Sequence, residues 1–364
     1  MREGFFMEYK EKNIGMIREL SEAKAPSGFE DEVLEIVRDY AKGLGEISED
    51  HIRNLYIERK GNSGKPLLML DAHADEVGFM VHSVRPNGMI RFTNIGGWNP
   101  GTLPSSRVLV RNADGKYVQG IVSAKPVHFM KESEKGRTAE ISDLSIDIGS
   151  SSKEETEKAF RIRIGEPIVP DTSFSYDEEH DVFMGKAFDD RIGVAALVET
   201  MRRLEGEDLD IDVTGVVSSQ EEVGSRGAQV AVNRIVPDIA ICFEACPSDD
   251  TFTEPYAVQA AIKKGPMLRF MDRTVICNPR FQRYALDLAE KLNIPVQASV
   301  REGGGNNGAK ICLSDKGTPV IVVAIPVRYI HSHNCIASYR DFEAAAELAA
   351  AIIRDLDKDK IDKF

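Results

Sequence analysis

The sequence predicts an α/β fold: a mostly parallel sheet flanked by helices, with a small β-barrel-like domain inserted into it. Three observations predict it. Continuous apolar runs at 66–71, 211–217, 238–243 and 319–326 read as buried parallel strands. Helical stretches alternate with those runs, the pattern of a sheet covered on both faces. Between about 78 and 181 the texture changes to short alternating runs punctuated by Asn87-Gly88 and Asp114-Gly115, which reads as hairpins.

Taken in order, the chain first shows helical spacing at Ile14, Met16, Ile17 and Leu20, broken by Ala25-Pro26-Ser27-Gly28. Ser27 is positioned to cap a second helix whose apolar face is Val33, Leu34, Ile36, Val37 and Tyr40. A strand is expected from Asn54, and a central strand from Pro66 that ends on Ala72-His73-Ala74-Asp75. The inserted β-domain is placed at 100–172, within a main domain of 1–99 and 173–364. The hairpin at about 78–95 fits either body. Inside the insert, 160–164 reads as a strand, and Lys131–Arg137 as a solvated charged loop. Beyond Gly185, helices are expected at 192–204, 226–234, 279–292 and 339–356, with a further strand at 295–300.

A chain of 364 residues has room for a sizeable core. Its net charge of −13 argues against nucleic acid, whose phosphates need a basic footprint, and against an anionic membrane surface. No run approaches a membrane span. Five cysteines without a Cys-x-x-Cys pair fit reduced thiols and a cytoplasmic setting. No secretory leader pattern occurs at the start.

Chemistry is expected at the strand ends, where ligands gather in open α/β sheets. His73, Asp189, the Glu221-Glu222 pair, Glu244 and His331 all follow predicted strands. Singly, each has an ordinary explanation. Asp189 could cap a helix, His73 could be a hydrogen-bonded core histidine, and His331 competes with His333. Jointly they supply imidazole and several carboxylates at one sheet edge. That set suits a pair of zinc-like ions with one bridging carboxylate.

Five stretches carry a more specific resemblance. They are Ala25-Pro-Ser-Gly-Phe-Glu30, Ala72-His-Ala-Asp-Glu-Val-Gly78, Gly185-Lys-Ala-Phe-Asp-Asp-Arg-Ile-Gly193, Ser219-Gln-Glu-Glu-Val-Gly-Ser-Arg-Gly-Ala228 and Arg328-Tyr-Ile-His-Ser332. In these the sequence resembles the dinuclear metallo-aminopeptidases that include glutamyl and deblocking aminopeptidases and the TET peptidases. Some members of that family have been labelled cellulases or endoglucanases.

The resemblance implies a zinc-peptidase-like fold and removal of N-terminal residues from peptides through a metal-bridging water. It implies two divalent ions per subunit, zinc or cobalt. His73 and Glu244 would hold one ion, Glu222 and His331 the other, and Asp189 would bridge them. Glu221 would be the general base, and Asp75 would orient the His73 ring. The insert would serve dimerisation, in a homo-oligomer that is a dimer or a dodecamer. Two departures stand out: Glu244 replaces the family's usual aspartate, and Asn306-Asn307 replaces Thr-Asp. The rival expectations are a glycosidase using paired carboxylates and a metal-binding scaffold with impaired turnover.

Overall fold

The computed structural model describes residues 2–59, 64–132, 136 and 138–364, with the side chains of 2–8 excluded. The chain forms two compact units. One comprises Met1–Asp75, Phe174–Ile330 and Asn334–Phe364; the other comprises Glu76–Ser173 and His331–His333.

The larger unit is built on an eight-stranded sheet. Its strands are β1 (Glu46–Glu49), β2 (Leu55–Arg59), β3 (Leu67–His73), β12 (Asp212–Ser218), β13 (Ile239–Pro247), β14 (Met267–Met271), β15 (Gln297–Val300) and β16 (Val320–Val327). Their order is β1-β2-β12-β3-β13-β16-β14-β15. The four central strands β12, β3, β13 and β16 run parallel, while β2 and β14 join that block antiparallel. The apolar runs form this block because a strand covered on both faces exposes no side to water.

Helices cover both faces. The larger core packs α1 (Arg2–Glu22), α2 (Asp31–Tyr40), α3 (Phe188–Arg203), α5 (Pro279–Leu292) and α7 (Tyr339–Asp355) on one side. The smaller core lies under α4 (Arg226–Ile235) and α6 (Gly308–Ile311) and includes Met69, Val216, Cys242 and Val322. A separate three-stranded sheet joins β10 (Ser175–Asp177), β11 (Val182–Gly185) and β17 (Cys335–Ala337).

The smaller unit is a closed barrel of β4 (Gly78–Val84), β5 (Ile90–Ile95), β6 (Arg107–Arg111), β7 (Tyr117–Val122), β8 (Ile146–Asp147) and β9 (Pro167–Pro170). The hairpin at 78–95 therefore belongs to the barrel, and the second body begins at Glu76 rather than at residue 100. The reason is pairing. Phe79 is in register with Ile168, and Ile90 with Ile146. Phe79 also packs against Phe92 and Trp98 in the barrel core, with ring centroids 5.0 and 4.7 Å apart.

The expected strand at 160–164 does not form. Arg161 adopts a positive φ of 61°, and the barrel is closed by Pro167–Pro170 instead. Of the charged run at 131–137, residues 133–135 and 137 lie outside the described residues. No helix among the described residues is long and apolar enough to cross a membrane.

Candidate metal centre

Three of the parallel strands carry the site, although β13 runs on past it to Pro247. β3 ends on His73, β12 leads through Ser218 into the Glu221-Glu222 turn, and Glu244 lies near the end of β13. Parallel register makes this convergence: Ser218 pairs with His73, and Cys242 with Asp71, so the chain leaves neighbouring strands at the same edge. Asp189 enters from the start of α3, joined to Asp190 by a cis peptide bond.

The structure brings His73, Asp189 and Glu244 together as buried groups whose ligand atoms lie within 4.8 Å of one another. His73 Nε2 is 3.2 Å from Asp189 Oδ1 and 3.5 Å from Glu244 Oε1. Asp189 and Glu222 also offer carboxylate oxygens within 4.8 Å of each other. His331 groups with the barrel unit, where its Nδ1 lies 2.9 Å from the Gly97 carbonyl. A proton on Nδ1 there leaves Nε2 as the nitrogen with a lone pair. Its neighbour His333 is buried against Trp98, and burial pushes its imidazole down to about 4.

Asp75 has more tasks than the sequence predicts. The His73 ring is held chiefly by the Asp75 main-chain carbonyl, 3.1 Å from Nδ1; the carboxylate stands 3.5 Å away. That carboxylate accepts the main-chain N–H groups of Glu221 at 2.9 Å and Glu222 at 3.1 Å. The Ser27 hydroxyl donates to it at 2.5 Å, so Ser27 does not cap α2; the capping position is Glu30. Asn54 accepts the Ser219 N–H at 2.9 Å and donates to the Gly227 carbonyl at 3.0 Å. Gly227 must be glycine here, because an added Cβ would sit 2.3 Å from the Ser219 carbonyl oxygen.

Electrostatics mark the cluster as built for a cation. Burial raises Glu244 well above the usual carboxylate range, and Asp189 adds to it. Burial likewise raises Asp190 and Glu221. Burial alone would lower the His73 imidazole, but hydrogen bonds to Asp189, Asp75 and Glu244 raise it instead. Without an ion, this many carboxylates can share the site only by taking up protons. One nitrogen donor and two carboxylates, already converged, are a donor set that suits zinc or a related divalent ion.

Two basic residues of the 185–193 stretch serve as clamps. The buried Arg191 donates to the carbonyls of Ala74 (2.6 Å), Leu20 (2.7 Å) and Ala25 (3.0 Å). Lys186 Nζ donates to the Ala23 carbonyl at 2.7 Å. They tie the end of α1 to the strand end that carries His73. Replacing Arg191 with Met should destabilise the fold by on the order of 3 kcal/mol, because several buried carbonyls lose a charged donor. A urea midpoint measurement checks this.

Asn307 is placed beneath the cluster. Its Nδ2 donates to Asp71 Oδ2 at 2.7 Å and to Ser218 Oγ at 2.8 Å. Burial lifts Asp71 to about 6, and the Asn307 amide opposes that shift. The amide suits this position: an aspartate would set a second carboxylate against Asp71. Asn307→Asp should cost about 1–3 kcal/mol. The loss should be greater at pH 8 than at pH 5, since the pair must keep a proton to stay folded. Thermal melting at the two pH values checks the sign.

An α/β sheet whose parallel strand ends gather imidazole and carboxylates beside a half-buried glutamate defines a class, that of metal-assisted hydrolases. Comparison with known proteins narrows it. Residues 53–348 match the M42 glutamyl aminopeptidase family, and the chain belongs to that family. It is similar to the glutamyl aminopeptidase of Lactococcus lactis subsp. cremoris, with 31% identity over 353 residues, covering 95% of this chain and 97% of the relative. A solved TET aminopeptidase from a marine sediment archaeon of the Thaumarchaeota superposes with a TM-score of 0.93. It shares 37% identity and covers 97% of this chain and 99% of its own. The TET1 peptidase of Pyrococcus horikoshii, which can assemble into a tetrahedron or a large octahedral shell, gives a TM-score of 0.84. Its identity is 27%, covering 94% of this chain and 100% of that one. The protein is a metal-dependent aminopeptidase, a hydrolase that removes N-terminal residues from peptides.

Proposed function

We propose that the enzyme works with two divalent ions, held by His73 and Glu244 on one side, by Glu222 and His331 on the other, and by Asp189 between them. The observation that supports this best is the buried triad of His73, Asp189 and Glu244, whose ligand atoms lie within 4.8 Å of one another. Zinc or cobalt fits the donors. When bound, such ions would polarise the scissile carbonyl and lower the pKa of water from about 15.7 to about 7.

The chain's own residues supply the rest. Glu221 takes the proton of the attacking water and returns one to the leaving amine. Burial raises its carboxyl, which suits a group that must gain and lose a proton. The Ser225 hydroxyl donates to Glu221 Oε1 at 2.9 Å and fixes its rotamer. Asp75 sets the direction of both glutamates by accepting their main-chain N–H groups. Glu244, one methylene longer than the family's usual aspartate, reaches the same cluster as His73.

Asn307 does not favour the impaired-scaffold reading, because its amide is engaged with Asp71 and Ser218. Homo-oligomerisation through the barrel, as a dimer or a dodecamer, is the assembly we favour. The support for self-association is the likeness to the Pyrococcus horikoshii TET1 peptidase, which can assemble into a tetrahedron or a large octahedral shell. All five cysteines are free thiols, which accords with a reducing cytoplasm. The test uses a panel of aminoacyl-p-nitroanilides with EDTA and zinc or cobalt add-back. Chelator-sensitive release that either metal restores supports the reading. Chelator-resistant cleavage contradicts it.

A further inference from the structure

The turn that carries Glu221 is held by four successive main-chain amides, each accepted by a side chain distant in sequence. Asn54 accepts Ser219 (2.9 Å), Glu30 accepts Gln220 (3.2 Å), and Asp75 accepts Glu221 and Glu222. Gln220 adopts a left-handed φ of 53°, a conformation that a residue other than glycine keeps only when its surroundings impose it. Glu30 is fully buried, and its Oε1 also accepts the Gly28 N–H at 2.7 Å. Its other oxygen, Oε2, is buried without a hydrogen-bond partner among the described residues. Burial, with Asp75 nearby, lifts its carboxyl to about 7. A carboxyl kept in such surroundings is expensive unless its acceptor oxygens are needed.

We propose that Glu30 is a positioning residue for catalysis: by capturing the Gln220 amide it fixes the left-handed turn that aims the Glu221 carboxylate. The proposal rests on the reading of Glu221 as the proton-transfer group. The hydrogen bonds of the Glu30 carboxylate run to the main-chain N–H groups of Gly28 and Gln220, so it acts through the main chain. What matters is therefore the reach of its acceptor oxygen, not its charge.

The test compares kcat, KM and bound zinc for Glu30→Gln and Glu30→Asp in the full-length, metal-loaded enzyme. Glu30→Gln keeps an acceptor at the same reach and should retain kcat within about threefold. Glu30→Asp keeps the charge but withdraws the oxygen by one methylene. Its kcat should fall about 10–100-fold, as for a displaced reacting group or a lost outer partner, with KM within about twofold and zinc content unchanged. The reversed order, with Asp near wild type and Gln impaired, overturns the proposal. So does a fall in kcat that merely follows loss of zinc. If Glu30→Asp does not fold, Glu30→Gln decides alone: a larger loss of kcat with zinc retained overturns the idea. A wild-type rate for Glu221→Gln would remove the underlying reading instead. A dead Glu221→Gln beside a wild-type Glu30→Asp removes only the role given to Glu30.

Discussion

Glu221→Gln is expected to lower kcat by about 10²–10⁴-fold, the range for a lost general base, while leaving bound metal and the melting temperature near wild type. The amide is close to isosteric, so Ser225 Oγ can still donate to the side-chain oxygen, as it does at 2.9 Å. Asp75 still accepts the two main-chain N–H groups, so the turn stays in place. Only the ability to take a proton is removed. KM should change little, because no binding group is lost. A steady-state comparison with metal analysis on the same preparations decides the matter. Persistent turnover would mean that another group moves the proton.

The second large effect concerns metal removal and pH. In the metal-free chain Glu244 and Asp190 have folded-state carboxyls raised by burial and by neighbouring carboxylates. A carboxyl raised in the folded state favours folding less as pH climbs from its unfolded value of about 4 toward the raised one. The raised imidazole of His73 works the same way: its stabilisation is complete below about 6.5 and is lost as pH rises through the folded-state value. Both signs agree. EDTA-treated protein should therefore melt at progressively lower temperature between pH 5 and pH 8. Zinc-loaded protein should show little of that slope, since the ion replaces the protons. His73→Ala should lose the ion and more activity than the about 10–100-fold typical of losing an outer partner, and its melts should lack the part of the pH slope that the imidazole supplies. Calorimetric melts across that pH range check the slope. A metal-free chain that becomes more stable with rising pH would contradict the electrostatic account.

Much of the fold was legible because its central strands have a single job. β3, β12, β13 and β16 are buried on both faces, so their composition is close to uniformly apolar and their ends are sharp. Once those ends were located, His73, Glu222 and Glu244 followed; the structure sets Asp189, from the start of α3, beside His73 and Glu244, and also beside Glu222. β14 was harder to see because Arg269 interrupts its apolar run. The expected strand at 160–164 shows the opposite error: alternation signals a strand only where a partner is within reach, and Arg161 turns the chain away. Ser27 was misread for a related reason. A serine before a helix looks like a cap, yet its hydroxyl goes to Asp75, 48 residues on.

The supporting residues were the least legible part of the site. Glu30, Asn54 and Asp75 each grip the Ser219–Glu222 segment across sequence separations of 146 to 190 residues. Nothing in local periodicity reports a contact of that kind. Arg191 and Lys186 were visible as part of a motif, but their work is to donate to the main-chain carbonyls of Leu20, Ala23 and Ala74. Gly193 has a similarly hidden reason: a Cβ there would lie 2.1 Å from Asp190 Oδ1. A motif can thus mix residues that do chemistry with residues that only make room for it.

The most direct measurement is an anomalous difference map from crystals of the zinc-loaded enzyme, recorded at the zinc edge. The account predicts a peak about 2.0–2.2 Å from His73 Nε2 and from oxygens of Asp189 and Glu244, with a second peak about 3.5–4 Å away on the far side of Asp189. Full activity in crystals with no density at that triad, or with zinc bound only elsewhere, would contradict it.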